Sequence, residues 1–183
     1  MKRRHNLWKG IVLGMLLLVM GACSNKQSLQ RYYVDSVEKE GFVSLDIPSG
    51  MLNITNAELT EDQKEAYNSI KKLNVLALPV TAENRSVYEA EKAKVNSILS
   101  GENFHDLLRL SDKNKRAVLK YLGNEDAIEE VIFFGTDNDR GFALVRILGK
   151  DMNPEKMVEF IKIIEKADID DDKLGELKGL FGE

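Results

Sequence analysis

The chain has 183 residues, 43% hydrophobic and 31% charged, with 26 basic and 30 acidic side chains and a formal net charge of −4. That is the length of one domain with enough apolar material for a core, and its acidic balance excludes a phosphate-tracking nucleic-acid binder, which needs a net basic face. Cys23 is the single cysteine, which excludes a disulfide framework, a thiolate metal centre and any thiol nucleophile in a domain that follows it.

Lys2, Arg3, Arg4 and Lys9 open the chain, and no charged residue then occurs until Lys26. A basic start, a short apolar stretch and small residues form a secretory signal. The uncharged run from Gly10 to Ala22 is too short to cross a ~30 Å hydrocarbon layer comfortably as a helix. The alternative is an uncleaved membrane anchor with an incidental cysteine. Val19-Met20-Gly21-Ala22-Cys23 resembles a bacterial lipobox, although Met20 stands where that pattern usually has leucine. The resemblance implies cleavage between Ala22 and Cys23 and lipid on Cys23. Residues 1–22 are then a signal peptide, 23–28 a lipidated cysteine with a short tether, and 29–183 a single domain.

From Cys23 onward the formal charge is −8, because four basic and no acidic residues precede it. Membrane residence would therefore rest on acyl chains, at about 0.8 kcal/mol per buried methylene, and not on attraction to anionic lipid. The polar stretch Ser24 to Gln30 spans at most about 25 Å, which holds the domain close to the membrane surface.

Leu29, Tyr33 and Val37 recur every four residues before Gly41, predicting a short helix with a glycine stop. Tyr32 and Tyr33 suit either the core or a lipid interface. Phe42 to Ile47 alternates and stops at Pro48, as a strand does. Thr60 and Gln63 form a capping box for a helix carrying Ala66, Ile70 and Leu73 on one face. Val75 to Val80 is a short apolar strand. Ser86 and Glu89 form a second capping box, opening a helix that runs to about Ser100.

Four strand-like runs follow at close spacing: Phe104–Leu110, Ala117–Leu122, Ile128–Phe134 and Phe142–Leu148. The last two flank Asp137-Asn138-Asp139-Arg140-Gly141, a hairpin signal, and their apolar continuity suits a buried central pair. Asn153-Pro154 then opens a helix with its cap and first-turn proline in the favoured order, with Met157, Ile161 and Ile164 as its buried stripe. A weaker amphipathic segment carries Leu174, Leu177 and Leu180. The order predicts an α+β domain with a mixed or mainly antiparallel sheet, a four-strand meander in its C-terminal half, and helices packed mainly on one face. No glycine-rich strand-to-helix turn supports nucleotide binding, and no cofactor is implied.

Few residues carry a chemical signal. His105-Asp106 is the only histidine–acid pair after the signal, but neighbours on a strand point to opposite faces. A surface histidine is the favoured reading over a general base or metal ligand. Asp168, Asp170 and Asp172 offer clustered carboxylate oxygens of the kind hard cations take. A calcium loop would need glycine and glutamate where Lys173 and Gly179 stand, so helix N-terminal charge is favoured there. Asp137 to Asp139 read as turn residues. Arg146 interrupts an apolar strand and shares a face with Phe142, Leu144 and Leu148. A buried arginine requires an acid, and a half-buried one could meet a ligand carboxylate.

Cys23, the short helix after it, the Gly41-Phe42-Val43-Ser44-Leu45 strand entry, and the paired runs Val131–Phe134 and Phe142–Val145 resemble DUF4252, a domain of unknown function found in Bacteroidetes lipoproteins. The resemblance covers about Leu29 to Leu180 and carries no catalytic or binding residue. In such lipoproteins an acidic stretch after the cysteine marks export to the cell surface. Its absence here implies the periplasmic side of the outer membrane. The expected function is a lipid-anchored, non-catalytic binding or interaction module with an envelope protein as partner. The alternatives are a small periplasmic hydrolase built on His105 and Arg146, or a divalent-cation binder using Asp168 to Asp172.

Overall fold

The computed structural model describes residues 28–52, 59–124 and 127–158. The signal-like segment, Ala22, Cys23, and Asp168, Asp170 and Asp172 lie outside them. The elements are α1 (Leu29–Val37), β1 (Val43–Pro48), a 3-10 turn (Ser49–Met51), α2 (Glu61–Ser69), β2 (Ile70–Pro79), α3 (Arg85–Leu99), β3 (Phe104–Asp112), β4 (Lys115–Asn124), β5 (Ala127–Asp137) and β6 (Gly141–Met152). A helical segment begins at 154. One six-stranded sheet has the order β1-β2-β6-β5-β4-β3. Every neighbouring pair is antiparallel. The domain is α+β.

Local chemistry sets several boundaries. Ser28 caps α1 by accepting from the Arg31 amide at 3.1 Å. At α2, the Thr60 hydroxyl accepts from the Gln63 amide, and the Gln63 side chain accepts from the Thr60 amide at 2.9 Å. Asn153 accepts from the amides of Glu155 and Lys156, capping the segment that starts with Pro154. At the β5–β6 turn the Asp137 carboxylate accepts from the Asp139 and Arg140 amides, at 2.8 and 3.2 Å.

Three expectations fail, the first for reasons of strand pairing. Ile70 and Leu73 do not continue α2 but belong to β2, because this stretch pairs with Ile47 and Pro48 of β1 and with Ile147 to Gly149 of β6. Ser86 does not cap α3, which starts at Arg85. Instead Asn84 and Thr81 bond reciprocally, the Thr81 amide donating to the Asn84 side chain at 2.7 Å and the Asn84 amide to the Thr81 hydroxyl at 3.2 Å. The inward stripe of α1 is Leu29, Tyr32, Tyr33 and Ser36, which leaves Val37 37% exposed.

The sheet has apolar residues on both faces. Leu45, Leu73, Val75, Ala77, Leu119, Val131 and Ile147 form one cluster with Ala66 of α2 and Met157. Leu76, Leu78, Ile132, Phe134, Phe142 and Leu144 form the other, with Tyr32 and Tyr33 of α1 and Tyr88, Val95 and Leu99 of α3. The helices therefore do not sit mainly on one face: α1 and α3 share one, while α2 and the start of the C-terminal helix take the other. Two apolar sheet faces each need a cover, which near-continuous apolar strands such as β6 dictate.

Candidate functional site

On the α1–α3 face, register lines up one polar row across the sheet. Asp46 of β1 pairs with Asn74 of β2, and Asn74 with Arg146 of β6. Arg146 pairs with Ile132, Ile132 with Lys120, and Lys120 with Asp106 of β3. Five of six positions are polar, in strands otherwise built for a core. Burial makes Asn74, Lys120 and Arg146 each require a partner, which the exposed carboxylates of Asp46 and Asp106 help to supply.

Arg146 lies diagonally across from Glu130 of β5, two residues along from its direct partner Ile132. The guanidinium donates from Nε to Oε1 at 2.6 Å and from Nη2 to Oε2 at 3.0 Å, a two-pronged ion pair. Its side chains are only 6% and 9% exposed. The guanidinium carbon also lies 5.8 Å from the Tyr33 ring centroid, within cation–π range. Asn74 donates its side-chain amide to Asp46. Tyr33 donates its hydroxyl to the same carboxylate at 2.7 Å. Burial first, then that carboxylate, pushes the Tyr33 hydroxyl far above the ordinary tyrosine value, so it stays a donor. Farther along the row, Lys120 bonds Asp106 at 2.8 Å, and Asp106 also accepts from Arg109. The Lys120 contact, chiefly, holds the Asp106 carboxyl below its usual range despite some burial.

The row opens into a groove at the N-terminal end of α1. One arm, about 860 Å3, is lined by Gln30, Lys72, Leu122, Glu130, Arg146 and Leu148 among others. A second arm of about 840 Å3 runs toward the end of α3, past Ser28, Ile98, Phe104 and Leu122. The arms share Gln30, Leu122 and Glu130. Their lining of apolar floor and a few convergent polar groups suits binding.

His105 is elsewhere. It pairs with Tyr121 on the opposite face of the sheet and stacks on that ring at 5.0 Å between centroids. Arg146 and His105 are therefore not brought together, and Asp106 is committed to Lys120 and Arg109, not to His105. No group of three or more potential metal ligands clusters among the described residues. No helix among them is long and apolar enough to cross a membrane.

Asp46, Asn74, Glu130 and Gln30 were not singled out by the sequence. Asp46 and Asn74 each interrupt an apolar strand as Arg146 does, which is the signal that could have found them. Only the register makes the interruptions one row.

No curated protein and no solved structure matches the chain. Residues 32–160, from the buried face of α1 to just past the start of the C-terminal helix, match the family described as Domain of unknown function (DUF4252), and the chain belongs to that family.

Proposed function

We propose that the protein is a lipid-anchored, non-catalytic binding module of the cell envelope. In this reading it is a Bacteroidetes-type lipoprotein held by acyl chains on Cys23, on the periplasmic side of the outer membrane. The observation that carries the reading is the position of the groove. Its two arms meet at Gln30, and Ser28 lines one of them. Ser28 is five residues beyond Cys23, a reach of at most about 18 Å. A partner seated there would be held against the membrane surface. Glu130 occupies both prongs of the Arg146 guanidinium, which makes Arg146 a structural wall of the groove and not a reactive group.

The test places a photo-crosslinking amino acid at Gln30 in living cells, with Val34, 63% exposed on the same helix, as the control position. A discrete envelope protein cross-linked from Gln30, absent from Val34 and lost with Cys23→Ala, is the expected result. Identical patterns from the two positions would overturn the groove as the docking surface. Failure of Cys23 to take up a clickable fatty acid would overturn the anchoring.

A further inference from the structure

A smaller concavity lies on the α1–α3 face, beyond α3 from the groove, between that helix and β3 to β5. Its volume is about 290 Å3. Strand pairing builds it: Arg109 pairs with Val118 and Ser111 with Arg116, while Arg116 pairs with Thr136 and Val118 with Phe134. This sets Arg109 and Arg116 beside a floor of Val118 and Phe134. Lys113 enters from the β3–β4 turn, where its φ is +37°. From above, α3 supplies Lys92 and, one helical turn later, Asn96.

Four cations thus line one small pocket, and no carboxylate lines it. The neighbouring acids act from outside. Glu89 pairs with Lys92 and Asp106 with Arg109, both at 2.7 Å, and the Asp139 carboxylate accepts from the Asn114 side chain at 3.3 Å. Lys113 and Arg116 make no ion pair among the described residues. Glu89 and Asp106 neutralise Lys92 and Arg109 within the fold, which leaves Lys113 and Arg116 as two like charges at one concavity without a counter-charge, in a chain whose net charge is −4. The arrangement calls for an anion.

The rest of the lining narrows the class. A phosphate monoester carries about −1.5 to −2 at neutral pH and offers three acceptor oxygens, which guanidinium and ammonium donors match. The side-chain amides of Asn96 and Asn114 each give one N–H to the protein, to the Lys92 carbonyl at 2.9 Å and to the Asp139 carboxylate at 3.3 Å, and each has a second N–H and a carbonyl oxygen with which to meet hydroxyl groups. Val118 and Phe134 give a carbon skeleton an apolar floor. We propose that this pocket binds the phosphate group of a small phosphorylated polyol, with Lys113 and Arg116 as its principal ligands and the asparagines reading the hydroxyls. A free glycerol or sugar phosphate offers this monoester chemistry in full, and the glycerophosphate headgroup of an anionic lipid offers its diester form, with one negative charge, two terminal oxygens and the same polyol hydroxyls.

The test titrates the full chain, in neutral detergent at matched ionic strength, with glycerol 3-phosphate and separately with phosphatidylglycerol in mixed micelles. Wild type is compared with the double variant Lys113→Gln/Arg116→Gln. A second double variant, Lys71→Gln/Lys72→Gln, removes two cations from the larger groove and serves as control. Unchanged circular dichroism and melting temperature verify that each variant is folded. Expected is saturable binding that weakens about tenfold or more in the first double variant and less than twofold in the second. A response to both ligands identifies the lipid headgroup as a source, and a response to glycerol 3-phosphate alone identifies the free ester. Binding of neither ligand overturns the proposal. So does equal weakening in both double variants, which would mean bulk electrostatics and not a built pocket.

Discussion

Removing the carboxylate from Glu130 tests the central claim about the polar row. In Glu130→Gln the guanidinium of Arg146 keeps its position but loses its counter-charge, in side chains that are 6% and 9% exposed in the native pair. Two unit charges ~4 Å apart interact by about 4 kcal/mol at an effective dielectric constant near 20. Breaking one partner of a buried pair typically costs about 3–5 kcal/mol, because the survivor is left uncompensated. Here the groove beside Arg146 admits water, which places the cost at the lower end, about 3 kcal/mol. Arg146→Met should cost a similar amount. The double variant Arg146→Met/Glu130→Leu replaces both charges by apolar groups and should return to within about 1 kcal/mol of wild type. Urea denaturation of the four proteins completes a double-mutant cycle. Additive single effects would refute the reasoning, since they would mean that the two side chains do not compensate each other in the fold.

Two further outcomes follow from particular positions. Gly141 has φ +134°, and a Cβ there would collide with the Leu78 carbonyl on the paired strand. Gly141→Ala should therefore destabilise by about 2 kcal/mol or more in the same urea assay, and an unchanged midpoint would contradict the close approach of β2 to β6. At alkaline pH, Tyr88 is the marker: burial first, then Glu89 and Asp137, push its hydroxyl up to about 12, and burial raises Tyr32 and Tyr33 as well. Each holds in the fold a proton that the unfolded chain releases near pH 10, so its stabilising contribution is complete below about pH 10 and declines as pH rises above it, up to about 12 for Tyr88 and beyond that for Tyr32 and Tyr33. Tyrosinate absorbance should lag and then rise together with loss of the far-ultraviolet circular dichroism. Full ionisation of all five tyrosines near pH 10 with the fold intact would contradict it.

Much of the local structure was legible in the residues. The Thr60–Gln63 box, Asn153-Pro154 and the Asp137-to-Gly141 turn act over three or four positions, so their chemistry is complete within the segment itself. The four C-terminal strand runs were readable because alternation and apolar continuity are properties of one strand at a time. The same is true of Arg146 as an interruption in an apolar strand. What stayed hidden depended on pairing between distant segments. Ile70 and Leu73 read as the end of a helix because their spacing fits one, and only pairing with β1 and β6 makes them a strand. The insertion of β2 between β1 and β6 decided which residues stand beside Arg146, and the bond to Glu130 follows from the β5–β6 register.

The sequence by itself thus determined most of the elements, the caps at Thr60 and Asn153 and the α+β class, since these rest on interactions between near neighbours in the chain. The tertiary structure alone decided that His105 and Arg146 face opposite sides of the sheet. It also decided that Asp46, Asn74 and Arg146 form one row, and that Arg109, Lys113 and Arg116 meet Lys92 around a pocket. Strand order and register convert single polar interruptions into sites, and a one-residue change of register would send each side chain to the other face.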